Sequence, residues 1–394
     1  MTIYDFDIVT DRHGTLCTKW DNLEARMGNK NAWALWVADT DFRCSKPIQD
    51  AILKRAEHPI FGYSFVPPEF FECVRGWLLK RHQWDVPMQD IRFFPGIVPF
   101  LGVGIRALTN VGDEVAILTP VYHPFKMMIE ENRRVATKCS LLFDGDTYSI
   151  DWVGLEEILK RDSVTMLIFC NPHNPVGKVY SKEDLERVAE LCQKHGVVVL
   201  SDEIHSDVVF SGNKHVPIAS INKASSMNTV TCMSPSKAFN IAGLKASAIM
   251  IHNPKIKELI DKEIAATHVS TPNVFAMAAF MAAYNESEDY LDQEVSYIER
   301  NVEFLDSWLV ENTPKIRLIK PQGTYLLWLD CSLLGMGGDE LHDFFTNEAE
   351  VAVNKGEIFG SEGFDFVRIN VACPRSVLEV GLKRILDAYR KRGF

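Results

Sequence analysis

Three residues with complementary chemistry each follow a short apolar stretch of this 394-residue chain. Lys237, Asp202 and Asn174 come after apolar runs at residues 229–232, 197–200 and 164–170, and each run predicts a buried strand. A lysine beside a buried strand end can be partly desolvated, which lowers the pKa of its ammonium and frees the amine as a nucleophile. Ligands of open α/β sheets bind at the carboxyl edge, so we expect the three side chains to meet there.

An acid for a pyridinium nitrogen, an amide for a ring oxygen and a lysine for an aldehyde together describe a pyridoxal 5′-phosphate site. The alternative for Lys237 alone is a solvated surface lysine, so the prediction depends on all three residues. Asp202, His205 and Asp207 could instead bind a metal. Their spacing is irregular for a known metal site, and we predict none.

Composition sets the class of the protein. A 46% hydrophobic and 24% charged chain of this length is typical of a globular protein with two domains. A net charge of −11 without a basic run argues against nucleic-acid or anionic-membrane partners. The first residues lack a signal-peptide pattern, and the longest apolar run, 274–284, is too short to span a bilayer. Nine cysteines without a Cys-x-x-Cys pair predict free thiols and a cytoplasmic location.

Strands and helices alternate through the middle of the chain, which predicts a parallel sheet. Ser181, followed by acidic residues, predicts the start of a helix, and Ser376 with Glu379 predicts a capping box. The polar segment 144–161 is interpreted as a surface connection.

A glycine turn at Gly96 precedes a predicted helix, so the backbone N–H groups of Ile97 and Val98 can bind an anion such as a phosphate. The following Gly102-Val-Gly104-Ile-Arg-Ala107 fits a dinucleotide-binding pattern. Its glycines fall inside the predicted helix rather than directly after a strand, so we reject nicotinamide binding.

Three segments, Asn171–Gly177, Ser201–His205 and Ser234–Lys245, resemble those of the fold-type I pyridoxal phosphate enzymes in the class I/II aminotransferase group. The resemblance implies an α/β fold with a large domain, whose mostly parallel sheet is flanked by helices. It also implies a smaller α+β domain built from both termini. We expect the large domain at 46–285 and the small domain at 1–45 together with 286–394.

The same resemblance implies roles for individual residues. Lys237 is the catalytic, cofactor-binding lysine and Asp202 pairs with the pyridine nitrogen. The other cofactor-binding residues implied or derived above are Tyr63, Ile97, Val98, Tyr122, Asn174, His205, Ser234, Ser236 and Lys245. Lys245 is a departure, because aminotransferases usually have a phosphate-binding arginine there. A lysine supplies the charge as a point rather than a bidentate fork.

Substrate and partner residues follow from the resemblance too. Arg368 matches the arginine that binds the substrate α-carboxylate, and its alternative is a structural ion pair. Asp39 matches a loop at the mouth of the substrate-binding site, and the alternative is an acidic turn after a strand. His123 is a further candidate for substrate binding. Tyr63 matches a catalytic tyrosine that reaches the cofactor of the neighbouring subunit, which implies a homodimer with shared sites. A core aromatic is the competing interpretation.

Within the group, the chain most resembles bacterial cystathionine β-lyases of the MalY/PatB type, including cystalysin-like C–S lyases. The matching words include Val37–Phe42, Phe61–Tyr63, Asp202–His205 and Arg368–Arg375. The implied reaction is α,β-elimination from cystathionine or cysteine to a thiol, pyruvate and ammonia. Two alternatives stay open: an aminotransferase using the same residues, and a regulatory protein that binds a transcription activator.

Overall fold

Helices and strands alternate through residues 91–251, as the sequence predicts. The structure is a computed structural model that describes residues 3–394. The helices are α1 Thr18–Asp21, α2 Leu23–Met27, α3 Lys46–Glu57, α4 Pro68–His82, α5 Ile97–Leu108, α6 Pro124–Glu131, α7 Trp152–Leu159, α8 Lys182–Lys194, α9 Lys223–Asn228, α10 Pro254–Thr267, α11 Ala276–Glu286, α12 Glu288–Asn312, α13 Gly338–Asp343 and α14 Arg375–Lys391. The strands are β1 Trp33–Ala34, β2 Ile91–Phe94, β3 Glu114–Thr119, β4 Val135–Ser140, β5 Leu142–Phe143, β6 Tyr148–Ser149, β7 Val164–Cys170, β8 Val198–Asp202, β9 Thr229–Met233, β10 Ser247–Ile251, β11 Arg317–Ile319, β12 Leu326–Asp330, β13 Val351–Ala352, β14 Asn354–Lys355 and β15 Phe366–Asn370.

The large sheet has seven strands in the order β2-β10-β9-β8-β7-β3-β4. Strand β10 is antiparallel to both neighbours, whereas β9, β8, β7, β3 and β4 pair in parallel. Side chains alternate between two apolar layers: Val115 and Ile117 pack with α5, α6 and α10, while Ala116 and Leu118 pack with α7 and α8. Both faces are therefore covered, as expected for parallel strands with continuous apolar sequences. The predicted fold class is confirmed.

A smaller antiparallel sheet, in the order β11-β12-β15-β14, follows in the last third of the chain. The N-terminal strand β1 pairs in parallel with β13, joining Trp33 to Val351 and Ala34 to Ala352. This pairing is the contact expected if the first 45 residues complete the C-terminal unit. The domain boundaries themselves stay a prediction.

The N-terminal cap of one helix agrees with the sequence prediction, and that of another differs from it. At α8, Ser181 and Asp184 form a reciprocal capping box. At α14, the expected box at Ser376 is wrong: the helix begins at Arg375 after Pro374, whose side chain makes no cap. Proline fixes φ for the entry, so Ser376 already lies inside the first turn.

The segment 144–161 is more than the surface connection that its polarity predicts. Strands β5 and β6 form a hairpin, in which β5 lies just before the segment and β6 lies within it. Asp151 caps α7 by accepting a hydrogen bond from the Gly154 N–H at 3.0 Å. Leu155, Ile158 and Leu159 are buried against the large sheet. This apolar face is only three residues wide, so the surrounding charges obscure it in the sequence.

The two units meet at a backbone contact. The Gly177 carbonyl accepts hydrogen bonds from the N–H groups of Gln322 at 2.8 Å and Gly323 at 3.1 Å. Gly177 has φ +70°, and a Cβ there would lie 2.5 Å from the Pro321 Cβ. Only glycine accommodates both the left-handed backbone and this close approach.

Candidate functional site

The carboxyl ends of three adjacent strands are level with one another. Cys170 of β7 is paired with Asp202 of β8, and Asp202 is paired with Cys232 of β9. The chain leaves each strand at the same edge, so Asn174, Asp202 and Lys237 line one cavity of about 170 Å³. The predicted residues that line it are Ile97, Val98, Tyr122, Asn174, Asp202, His205, Ser234, Ser236, Lys237 and Lys245.

Lys237 lies between the large sheet and the N-terminal segment. Its Nζ donates a hydrogen bond to the Ala38 carbonyl at 2.6 Å. Burial lowers the pKa of Lys237 to about 8, with the nearby Asp39 carboxylate opposing this shift and the Arg368 guanidinium adding to it. A substantial fraction of the side chain is therefore neutral near pH 8, as a nucleophilic amine requires.

Asp202 is a buried carboxyl group without an ion-pair partner in residues 3–394. Burial raises its pKa to about 7, and a hydrogen bond from the Ile204 N–H to Oδ1, at 3.1 Å, offsets only part of this effect. A cation arriving beside Asp202 would stabilise the carboxylate in this environment. A protonated ring nitrogen has that charge.

His205 presents a polar atom without a partner. Burial lowers the pKa of His205 to about 3, so the imidazole is neutral at physiological pH. Its Nδ1 is buried and has no hydrogen-bond partner among the described residues. Tyr122 forms another wall of the cavity, and burial raises the pKa of its hydroxyl. A flat ring with polar substituents could satisfy His205 and contact Tyr122.

The other end of the cavity favours an anion. Helix α5 begins at Ile97 immediately after Gly96, whose φ of +107° requires glycine. The unpaired N–H groups of the first helical turn attract negative charge. Lys245 also lines the cavity, and no acidic side chain of residues 3–394 forms an ion pair with it. Gly102 and Gly104 lie within α5 rather than at its start, which excludes the dinucleotide arrangement.

The two serines of the site have different surroundings. Ser234 Oγ donates to the Ala246 carbonyl at 2.7 Å and accepts from the Ser236 N–H at 3.1 Å. Ser234 therefore stabilises the turn that carries Lys237. The Ser236 hydroxyl makes no hydrogen bond to any residue that the structure describes, so it is the serine that remains available for a ligand.

Arg368 lies on β15 of the smaller sheet and is 4% exposed. Three of its five N–H donors bind protein oxygens: Asn174 Oδ1 at 3.0 Å, Asn354 Oδ1 at 2.6 Å and the Trp36 carbonyl at 3.2 Å. Its Nε is buried without a partner among residues 3–394. Burial lowers the pKa of Arg368 to about 10. No carboxylate in residues 3–394 pairs with Arg368, so the alternative interpretation, a structural ion pair, is wrong.

Three further predicted residues lie outside the cavity. Asp39 lines a neighbouring cavity that also includes Lys237. His123 is adjacent to Tyr122, and burial together with Arg368 lowers its pKa to about 4. Tyr63 is fully exposed, so it is not a core aromatic. In this chain it takes no part in the cavity, and its role stays a prediction.

Several contacts that hold the site do not follow from the sequence. Arg12 binds Asp39 and Asp41 together, with Nη2–Oδ2 at 2.7 Å to Asp39 and Nη1–Oδ1 at 2.7 Å to Asp41. The buried Lys19 donates to Asp41 at 2.7 Å, and the Tyr325 hydroxyl donates to the Ala38 carbonyl at 3.2 Å. The motif Asp11-Arg-His could have identified Arg12 as a site residue, whereas no feature of the sequence identifies Tyr325.

Asp207, one of the three residues considered as metal ligands, has other partners in the structure. Asp207 accepts hydrogen bonds from Trp77 Nε1 at 3.1 Å and pairs with His82 Nε2 at 3.1 Å. Within residues 3–394, no group of three or more histidine, cysteine or acidic side chains is arranged to hold a metal ion.

The described helices include none with the length and apolar character needed to cross a membrane.

Comparison with protein families gives one match that spans most of the chain. The model for aminotransferase class I and II matches residues 41–385. The match includes every predicted site residue except Asp39, which lies just before it.

Individual relatives match over nearly the full length. "Cystathionine beta-lyase PatB" of Bacillus subtilis is 40% identical over 98% of this chain and 99% of its own length. "Protein MalY" of Escherichia coli is 32% identical over 98% and 99%, respectively. The crystal structure of cystalysin from Treponema denticola, which contains pyridoxal 5′-phosphate, superposes with a TM-score of 0.96 at 34% identity. That superposition covers 99% of this chain and 100% of the other.

Proposed function

Because the chain belongs to the aminotransferase class I and II family, we propose that it is a pyridoxal 5′-phosphate-dependent carbon–sulfur β-lyase. Its proposed substrate is L-cystathionine, with L-cysteine as a smaller alternative, and its products are a thiol, pyruvate and ammonia. One observation carries the proposal: Lys237, Asp202 and Asn174 line a single cavity at the carboxyl edge of the sheet. The relative named a cystathionine β-lyase supports a lyase over the family's other activities.

The residues present fit the cofactor. Lys237 would hold the aldehyde carbon, and Asp202 would hold the ring nitrogen in its protonated form. His205, with its unpartnered Nδ1, and Asn174 would face the ring oxygen. The first turn of α5, Ser236 and Lys245 would bind the phosphate. Of these groups, the His205 Nδ1 and the Ser236 hydroxyl have no hydrogen-bond partner among the described residues.

Bound pyridoxal phosphate supplies an electron-withdrawing ring that stabilises negative charge at the substrate Cα. The protein supplies the proton transfer and the orientation. The Lys237 amine, with its pKa lowered to about 8, accepts the Cα proton. Arg368 binds the substrate carboxylate and thereby fixes which Cα bond faces Lys237.

Elimination and transamination share that proton transfer, so the two activities differ in what leaves afterwards. In elimination the Cβ–S bond breaks, the thiolate leaves with the bonding electrons, and water converts the remainder to pyruvate and ammonia. The enzyme then needs no second substrate. In transamination the amino group stays with the enzyme until a keto acid accepts it.

We expect purified protein given L-cystathionine without a keto acid to form many equivalents of pyruvate per subunit. Homocysteine and ammonia should appear in equal amounts. The measurement is a coupled pyruvate assay together with thiol titration. Pyruvate formation that stops at one equivalent and resumes on adding a keto acid would identify an aminotransferase instead.

We further propose a homodimer with shared sites. The support is an apolar, exposed segment around Tyr63: Ile60 is 67%, Phe61 57% and Phe65 76% exposed. Apolar surface of this kind marks an interaction site.

The free state of all nine cysteines supports a cytoplasmic location.

Mixing two damaged subunits tests the shared site. A Lys237→Ala chain and a Tyr63→Phe chain should form heterodimers that contain one undamaged composite site. Activity should then rise above that of either parent, as measured by pyruvate formation after subunit exchange. If exchange is verified by mass labelling and activity stays at the parental level, Tyr63 does not complete the partner's site.

A further inference from the structure

A second cavity adjoins the proposed cofactor site. This outer cavity has a volume of about 540 Å³ and shares Ala38, Lys237, Ala242 and Lys245 with the first. Its other walls include Thr10 and the segment 37–43. The volume is ample for several non-hydrogen atoms of a ligand. A substrate held at Lys237 can therefore extend into the outer cavity.

The acidic groups of the outer cavity already have partners. Asp39 accepts hydrogen bonds from Arg12 Nη1 at 3.0 Å and Nη2 at 2.7 Å. Asp41 is bound by Arg12 and by Lys19. These carboxylates are compensated by the protein's own cations. They do not leave a net negative charge for a ligand cation.

Arg43 is a cation of the outer cavity that lacks an acidic partner among residues 3–394 and has no assigned role. Its Nε donates to Thr10 Oγ1 at 3.2 Å, and the Tyr290 hydroxyl donates to its backbone carbonyl at 2.9 Å. Neither Nη1 nor Nη2 makes a hydrogen bond to any residue in the described part of the chain. Lys245 also lacks an acidic partner there, but it is assigned to the phosphate. One nitrogen of the Arg43 guanidinium is therefore hydrogen-bonded to the protein, and the other two are available to a ligand.

We propose that the outer cavity is a subsite for the distal end of the substrate, and that Arg43 binds a carboxylate there. A guanidinium open at both terminal nitrogens matches a carboxylate bidentately. The class of substrate is a thioether amino acid that carries a second carboxylate beyond sulfur, as cystathionine does. Cysteine and S-methylcysteine have no carboxylate beyond sulfur. The inference rests on the proposed lyase function for the location of the reacting end.

The kinetic test compares Arg43→Ala with the unmodified holoenzyme on two substrates. For L-cystathionine we expect kcat/KM to fall about tenfold through KM, the loss expected for a charge-assisted contact at a solvent-accessible site. For S-methyl-L-cysteine we expect no change. Arg390→Ala, which removes an exposed arginine from α14, is the matched control and should leave both substrates unaffected. Equal losses on both substrates, or no loss, would overturn the subsite.

A binding test separates the subsite from the proposed chemistry. Calorimetric titration of L-cystathionine into cofactor-loaded Lys237→Ala protein measures Kd without turnover. Adding Arg43→Ala should raise this Kd about tenfold and leave the Kd for S-methyl-L-cysteine unchanged. An unchanged Kd for cystathionine would overturn the subsite. If neither thioether is cleaved by the unmodified enzyme, the lyase proposal fails while the titration still decides the role of Arg43.

Discussion

The Lys237→Ala variant is expected to lose at least about 10²–10⁴-fold in kcat for β-elimination, the range that a positioned general base contributes. Lys237 brings its amine to the meeting point of Asp202, Asn174 and the α5 N-terminus, and burial has already lowered its pKa to about 8. Alanine removes the nucleophile and the base together. Lys245 is not expected to replace it, because we assign its charge to the phosphate.

The measurement is pyruvate formation from L-cystathionine at saturating cofactor, together with borohydride reduction and peptide mapping of the unmodified protein. Reduction should attach the cofactor to the peptide that contains Lys237. Lys255→Ala removes an exposed lysine from α10 and should retain full activity. A label on Lys245, or a variant at Lys237 that keeps its turnover, would contradict the assignment.

The Arg368→Ala variant is expected to lower kcat/KM for L-cystathionine by about 10²–10⁴-fold. This range corresponds to two charge-assisted hydrogen bonds of about 1.5–3 kcal/mol each. Arg368 presents an unpartnered, buried Nε and has no carboxylate of its own in residues 3–394. Cofactor binding should persist, because no cofactor contact is assigned to this side chain.

Arg368→Lys separates binding from folding. Lysine keeps the charge but cannot donate as a planar fork, so kcat/KM should stay far below that of the unmodified enzyme. Alanine also removes hydrogen bonds to Asn174 and Asn354, so the melting temperature of each variant is measured in parallel. A folded, cofactor-loaded Arg368→Ala enzyme with unchanged kcat/KM would show that the carboxylate binds elsewhere.

Much of the site is predictable from the sequence because its residues follow strong local signals. Buried parallel strands appear as apolar runs whose ends must meet at one edge of the sheet, so the sequence alone groups Asn174, Asp202 and Lys237. Gly96 before α5 indicates the anion end in the same way. Such signals are local in sequence and do not depend on how the elements pack.

The unpredicted contacts depend on separations that no local pattern encodes. The Tyr325 hydroxyl reaches Ala38 across 287 positions, and Asn354 binds Arg368 from a strand of two residues. The start of α14 differs from its prediction for another reason. Ser376 has the sequence of a cap, but Pro374 already sets the entry of the chain.

The backbone contact at Gly177 has a mechanical consequence. Its carbonyl holds Gln322 and Gly323 of the other unit, and Asn174, which binds Arg368, lies three residues away. Two further backbone bonds lie beside it, from the Phe210 N–H to the Gln322 carbonyl at 3.0 Å and from the Thr324 N–H to the Val208 carbonyl at 2.8 Å. Together these bonds resist sliding of one unit against the other close to the place where Asn174 accepts its hydrogen bond from Arg368.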